Sequence, residues 1–167
     1  MRVFLLLLIV TFSGCATIRT QNDVAVNIEN YGIINTHGEK TKVVDPSHPA
    51  GYYTTSSDNW NIVATVDLIP MIQGIEFGVL YTVTSNKAIN VIERVIFPKN
   101  SLINPANDVQ KEFSQITNHI DPSEGLEYLS SYSLTEKWEL VPGKWVIQII
   151  VNGKVLASKY FVVTEKS

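Results

Sequence analysis

The side chains able to do chemistry are few and scattered. His37, His48 and His119 stand far apart in loop-like contexts, where solvation or a local hydrogen bond accounts for them better than a shared metal. Zinc wants ligands at short fixed spacing, and calcium wants a run of alternating oxygen donors. Asp58-Asn59 with Asp67 is too thin for that, so no metal and no cofactor is expected. Nucleophilic catalysis lacks a frame as well: there is no Gly-x-Ser-x-Gly elbow and no Ser-x-x-Lys pair. A Ser/His/Asp set gathered from distant positions stays open, because such a triad is defined by geometry and not by chain order. Paired carboxylates of the glycosidase kind would have to come from Glu112, Glu124, Glu127, Glu136 and Glu139, which read as surface charges on polar strand faces and turns. Gly125, Gly143 and Gly153 are isolated turn glycines and not a phosphate cradle. The expectation is a protein that is not an enzyme.

Two aromatic groups remain. Tyr52, Tyr53 and Trp60 flank the hydroxyl run Thr54-Thr55-Ser56-Ser57 and would suit a stacking site for a sugar or peptidoglycan fragment; the same rings would equally pack a loop on the core. Trp138 and Trp145 bracket Pro142-Gly143. Proline presets the first central position of a type II turn and glycine permits the positive φ of the second, so the chain is expected to reverse there. The two tryptophans then act as core or cap residues, or as an aromatic platform for a ligand.

The elements that position these groups read as strands. β-Branched and aromatic residues recur in short runs separated by Pro, Gly, Asn and Ser. Strands are expected near Val24–Ile34, Trp60–Leu68, Ile75–Thr84, Val91–Phe97, Val109–His119, Glu127–Leu134, Lys144–Val151 and Lys154–Val163, with a short helix over Pro105–Ile116 as an alternative. The last pair is the clearest. Trp145, Ile147, Ile149 and Val151 alternate with their neighbours, and Asn152-Gly153 supplies the two positive-φ residues of a type I′ turn. About eight short strands without room for crossover helices imply antiparallel pairing in an all-β, immunoglobulin-like β-sandwich of about 7–8 strands, with a small closed barrel as the alternative. The long stretch from Ile34 to Asp58 is expected to hold a short edge strand at Lys42–Val44, or a functional loop.

At the N-terminus, Arg2 precedes an apolar run, Val3 to Phe12, that ends at Ser13-Gly14-Cys15, the single cysteine. About ten apolar residues are too few to cross a bilayer core, which takes roughly 20. The segment resembles a bacterial lipoprotein signal, which implies residues 1–14 as a signal peptide, lipidation of Cys15 and a tether over 15–23; an ordinary secretory signal or an uncleaved anchor is the other reading. Ala16 in place of an aspartate implies, by the sorting rule of such lipoproteins, the periplasmic face of the outer membrane. Residues 24–167 make a single domain. With 13 basic against 16 acidic residues and no Lys/Arg cluster, nucleic acid is not an expected partner.

Tyr31-Gly32, Ile69-Pro70, Gly74, Phe77-Gly78, Pro98, the block Trp138-Glu139-Leu140-Val141-Pro142-Gly143-Lys144-Trp145 and Phe161 together resemble a family of uncharacterised exported bacterial domains, domain of unknown function 3859. The resemblance spans Tyr31 to Val163 and implies one β-domain. It brings no activity, substrate or catalytic residue. The functional expectation is a lipid-anchored envelope protein, a non-enzymatic interaction or structural module offering a loop end or sheet edge to an envelope partner. Lys42–Val44 and the last strand are the candidate edges, and sugar binding through loop aromatics is the alternative.

Overall fold

The computed structural model describes residues 24–37, 40–46, 48–56, 59–98 and 102–165; the expected leader, Cys15 and the tether lie outside the described residues. In chain order the strands are β1 Ala25–His37, β2 Lys40–Val44, β3 Tyr52–Ser56, β4 Asn59–Ala64, β5 Leu68–Pro70, β6 Glu76–Thr84 and β7 Ile89–Ile96. They continue as β8 Leu102–Asn104, β9 Val109–Lys111, β10 Phe113–Ile120, β11 Glu127–Ser133, β12 Gly143–Val151 and β13 Lys154–Thr164. A four-stranded sheet in the order β11-β6-β1-β4 packs on a five-stranded sheet in the order β10-β7-β12-β13-β5, and two small ribbons, β2-β3 and β8-β9, sit outside them. The chain is an all-β, immunoglobulin-like sandwich, with two separate sheets and not a closed barrel.

Period-two patterning builds the core. Phe77, Val79, Tyr81 and Val83 on β6 face Val91 and Val95 on β7, Trp145, Ile147, Ile149 and Val151 on β12, and Phe161 and Val163 on β13. Trp145 is fully buried and meets Phe77 and Phe97 edge-on, with centroids at 5.8 and 5.4 Å. Truncating such a side chain to alanine costs about 3–5 kcal/mol, because the cavity does not collapse. Gly32 and Gly78 have a steric reason. Gly32 and Gly78 are register partners, and a Cβ on Gly32 would stand 1.9 Å from the Ala64 carbonyl oxygen, one on Gly78 2.3 Å from that of Ser130.

The expected hairpin is present: β12 and β13 pair antiparallel across Asn152 (φ 50°) and Gly153 (φ 74°). Other expectations need correction. The run Trp60–Leu68 is split, because the chain leaves one sheet after Ala64 and joins the other as β5. That strand pairs parallel with β13, so pairing is not wholly antiparallel. The crossing is pinned where the Asp67 carbonyl accepts from Val162 N–H at 2.8 Å. Nearby, the Lys159 ammonium meets the Asp67 carboxylate at 2.6 Å and the Tyr31 ring at 3.3 Å from its centroid. Pro105–Ile116 holds no helix but the turn and β9 of the β8-β9 ribbon and the start of β10, so the expected strand at Val109–His119 is broken at Glu112. Lys42–Val44 belongs to β2, which pairs with β3 as its own ribbon and not as an edge of either main sheet. The last strand is no simple edge either, since β5 closes its C-terminal end. The Pro142-Gly143 block does not join two strands. A short 3₁₀ turn, Lys137–Glu139, leads into it, and Gly143, at φ 131°, opens β12.

Candidate functional site

Glu93 is the first unusual residue. On β7 it shares the phase of Val91 and Val95, so its carboxyl points between the sheets and is only 6% exposed. One oxygen accepts from the Tyr81 hydroxyl at 2.8 Å and from the Asn118 amide at 2.7 Å, and Ser130 is a third hydrogen-bonding partner. These donors come from β6, β10 and β11. Burial raises the carboxyl above its ordinary pKa, and the three hydrogen bonds act against that rise. The Tyr81 hydroxyl is pushed far above its usual range, first by burial and then by Glu93, and so remains a donor.

Glu93 lies on the wall of a cleft of about 250 Å³, just below the usual size of ligand pockets. The cleft lies where edge strands β10 and β11 of the two sheets approach, and the β2-β3 ribbon closes one side. Ser114 and Ile116 come from β10, Ser130 and Tyr132 from β11, Glu76 from β6, and Trp60 from β4. The ribbon adds His48, Tyr53 and Thr54. Glu76 accepts from the Ser131 hydroxyl at 2.7 Å and from Thr36 at 3.4 Å. Among the described residues, no lysine or arginine lines the cleft.

His48 is held by the ribbon's own turn. Its N–H donates to the Asp45 carbonyl at 3.0 Å, and its ring stacks on Tyr132 with centroids 5.6 Å apart and planes 17° apart. The Ala50 N–H donates to His48 Nδ1 at 3.2 Å, which places the ring proton on Nε2. Burial lowers its pKa to about 4, with Asp45 acting in the opposite sense, so at neutral pH the ring is neutral and its Nε2–H is a donor. A second pocket of about 50 Å³ adjoins the cleft and adds Tyr52. The Tyr52 hydroxyl donates to Glu136 at 3.1 Å.

Over residues 22–163 the chain matches the family described as Domain of unknown function (DUF3859). It belongs to that family. The DUF3859 domain is similar to an immunoglobulin-like protein from Pseudomonas aeruginosa of known crystal structure. The TM-score is 0.62 at 19% identity, covering 87% of this chain and 99% of that one; at this identity the likeness concerns fold alone. An alkylpurine DNA glycosylase from Pseudomonas fluorescens, bound to DNA containing an abasic site analog, aligns with a TM-score of 0.38 and 18% identity. It covers 59% of this chain and 28% of that one, too slight a likeness to bear on the DUF3859 domain. No curated protein matches the chain.

Of the residues picked out from sequence, the DUF3859 domain brings Tyr53 and Trp60 onto the cleft and Tyr52 onto the adjoining pocket, all three half-buried. Trp145 is core, and its indole N–H donates to the Val141 carbonyl at 3.2 Å. Trp138 packs against that core half-buried, while Pro142 is exposed. His119 pairs with Asn90 on an outward face at 3.0 Å, remote from His48 in the fold, and the side chain of His37 lies outside the described residues. Glu112 and Glu127 are exposed. Glu139 is not a surface charge: it is fully buried and accepts from the Tyr132 hydroxyl and from the Thr135 and Glu136 N–H groups, each at 2.8 Å. Among the described residues, no three of His, Cys, Asp and Glu are placed to hold a metal ion. Sequence reasoning passed over Glu76, Glu93, Ser130 and Tyr132. For Glu93 a signal existed, since Ile89, Val91, Val95 and Phe97 on the same phase are all apolar.

Proposed function

We propose that the chain is a non-enzymatic recognition module of the bacterial envelope, anchored through a lipidated Cys15 on the periplasmic face of the outer membrane, and that the cleft is its ligand site. The anchor rests on the Ser13-Gly14-Cys15 pattern behind the apolar run. Loss of acyl-chain labelling in Cys15→Ser, with the protein leaving the membrane fraction, tests it. The observation that supports the ligand site is the convergence of Trp60, Tyr53 and the His48–Tyr132 stack with Ser114, Ser130, Thr54 and Glu76 on one small cleft. Flat rings meet sugar faces, and hydroxyl and carboxylate groups bind sugar hydroxyls.

The acidic lining, with Glu76 and Glu93 and, among the described residues, no lysine or arginine, favours a neutral or amine-bearing sugar over an anionic one. Binding is favoured over turnover because the groups a reaction would use are engaged. Glu93 is held by three partners, and His48 offers a proton on Nε2 while its Nδ1 lone pair takes the Ala50 N–H. Calorimetric titration with chitobiose, its de-N-acetylated amine and an anionic muropeptide tests the reading. Chitobiose or the amine should bind, and Trp60→Ala should weaken binding at least tenfold while Tyr160→Ala leaves it unchanged. Preference for the muropeptide, or equal loss in both variants, would exclude the cleft as the site.

A further inference from the structure

The outward face of the five-stranded sheet has an order of which the cleft shares only Gln115. Strand register places Phe113, Ile96, Val146 and Tyr160 side by side in one row across β10, β7, β12 and β13. Two residues further along the strands lies the row Gln115, Arg94, Gln148 and Ser158, and beyond it Thr117, Ile92, Ile150 and Val155. A polar row is thus flanked by two largely apolar ones about 13 Å apart, four residues of strand rise. Tyr160 is 51% exposed, Val155 48% and Phe113 39%.

The charges on this face are fixed and of one sign. Arg94 donates through Nε and Nη2 to the Gln115 amide oxygen at 3.0 and 2.8 Å, with its guanidinium 4.6 Å from the centre of the Phe113 ring. Lys144, at the end of the same face, lies 4.8 Å over Tyr160. None of the three rows carries a carboxylate, although the chain as a whole is acidic. The opposite outer face carries Glu76 and Glu127, and each face holds residues already buried within the chain: Ile34 and Leu80 there, at 5% and 9% exposure, and Ile150 here, at 4%.

We propose that this face of β10-β7-β12-β13 docks a second, different protein through a surface that sets a carboxylate against Arg94 between two apolar contacts. A symmetric pair of this chain would bring Arg94 toward Arg94 with no acid in the three rows to offset it. Acyl chains would bury the Arg94 charge with only the neutral Gln115 amide oxygen opposite it, whereas a protein surface can supply a carboxylate. A partner acid opposite the preset guanidinium gains a charge-assisted hydrogen bond, with the apolar rows excluding water around it.

The test uses the full-length protein in intact cells, with a photoreactive phenylalanine analogue at position 158 and mass spectrometry of the adducts. The expected result is one adduct with a different protein, the crosslinked peptide carrying Asp or Glu. Its yield should fall at least tenfold in Arg94→Glu and in Lys144→Glu, and stay unchanged in Glu127→Arg on the opposite face. Gln148→Ala, which removes no charge and no core contact, should give an intermediate loss, and unaltered thermal melting of each variant separates docking from folding. An adduct of two copies of this chain, a lipid adduct, an adduct indifferent to Arg94→Glu, or no adduct from membrane-located protein would each overturn the proposal.

Discussion

Glu93 and Glu139 are the same chemical object in two settings. Each is a buried carboxyl in an apolar sandwich, each accepts from a tyrosine hydroxyl at 2.8 Å, and burial raises the pKa of each. Their other partners differ. Glu139 takes its donors from Tyr132, Thr135 and Glu136, all within seven residues of it, and is sealed off from solvent. It ties the N-terminal side of the Lys137–Glu139 turn to the end of β11, a capping box closed by a buried acid. Glu93 takes its donors from three other strands and keeps a surface on the cleft. Local satisfaction makes a structural fastening; satisfaction across sheets makes a wall whose partners lie where a ligand would enter. Tyr132 joins the two, with its hydroxyl on Glu139 and its ring under His48.

The largest effect that sharpens this contrast is expected at Glu139. Glu139→Leu leaves the Tyr132 hydroxyl and two backbone N–H groups without their acceptor, which costs about 3 kcal/mol or more. In thermal melts that is a fall of roughly 6–12 °C for a domain of this size. Ligand affinity measured well below the new midpoint should change little. If affinity collapses while the fold is intact, Tyr132 transmits the loss to the cleft and the division between fastening and site breaks down.

Next in size is the acid limb set by His48. Its folded pKa, near 4, lies below the ordinary 6.5, so its contribution is present above pH 6.5 and is lost as pH falls toward 4. Allowing for partial exposure, the limb is about 2 kcal/mol. His48→Phe keeps a ring on Tyr132 and cannot take up a proton. Its melting midpoint should therefore decline less than wild type between pH 6.5 and 4.5. Parallel midpoint curves for the two proteins would show that His48 is not buried on Tyr132 in solution.

The parts of this architecture that were legible in the sequence are those that local pattern decides. Trp145 to Val151, Asn152-Gly153 and Phe161 carry period two and a turn in one stretch, so the β12-β13 hairpin, and with it the sandwich class, could be read directly. β5 was not legible, because three residues, Leu68 to Pro70, acquire a partner only when Asp67 and Val162 meet across the fold. The β2-β3 ribbon was half legible: Lys42 to Val44 look extended, whereas Tyr52 to Ser56 read as a polar loop. In the site, Tyr53 and Trp60 were found by their rings. Glu93 was missed because Glu93-Arg94 within a strand suggests solvent, and only its phase with Val91 and Val95 points inward. Glu139 was noticed as an acid but read as surface, since nothing in Trp138-Glu139-Leu140 shows that Tyr132 and Thr135 close over it.

The smallest expected effect probes the contrast from the side of Glu93. Glu93→Gln keeps an oxygen for Tyr81 and Asn118, so near neutral pH it should cost less than about 1 kcal/mol. Its pH dependence carries the information. A carboxyl whose folded pKa is raised contributes stability that is full below its ordinary value of 4.5 and is lost as pH rises through the raised value. Glutamine stands for the protonated form at every pH, so the midpoint of Glu93→Gln relative to wild type should climb between pH 5 and 8. The trend has the opposite sense to the His48 limb and separates from it above pH 6.5, where His48 is neutral in both folded and unfolded chains. If the difference between variant and wild type is flat with pH, Glu93 ionises as it would in water, its three partners are not closed around it, and the cleft wall is looser than the contrast with Glu139 requires.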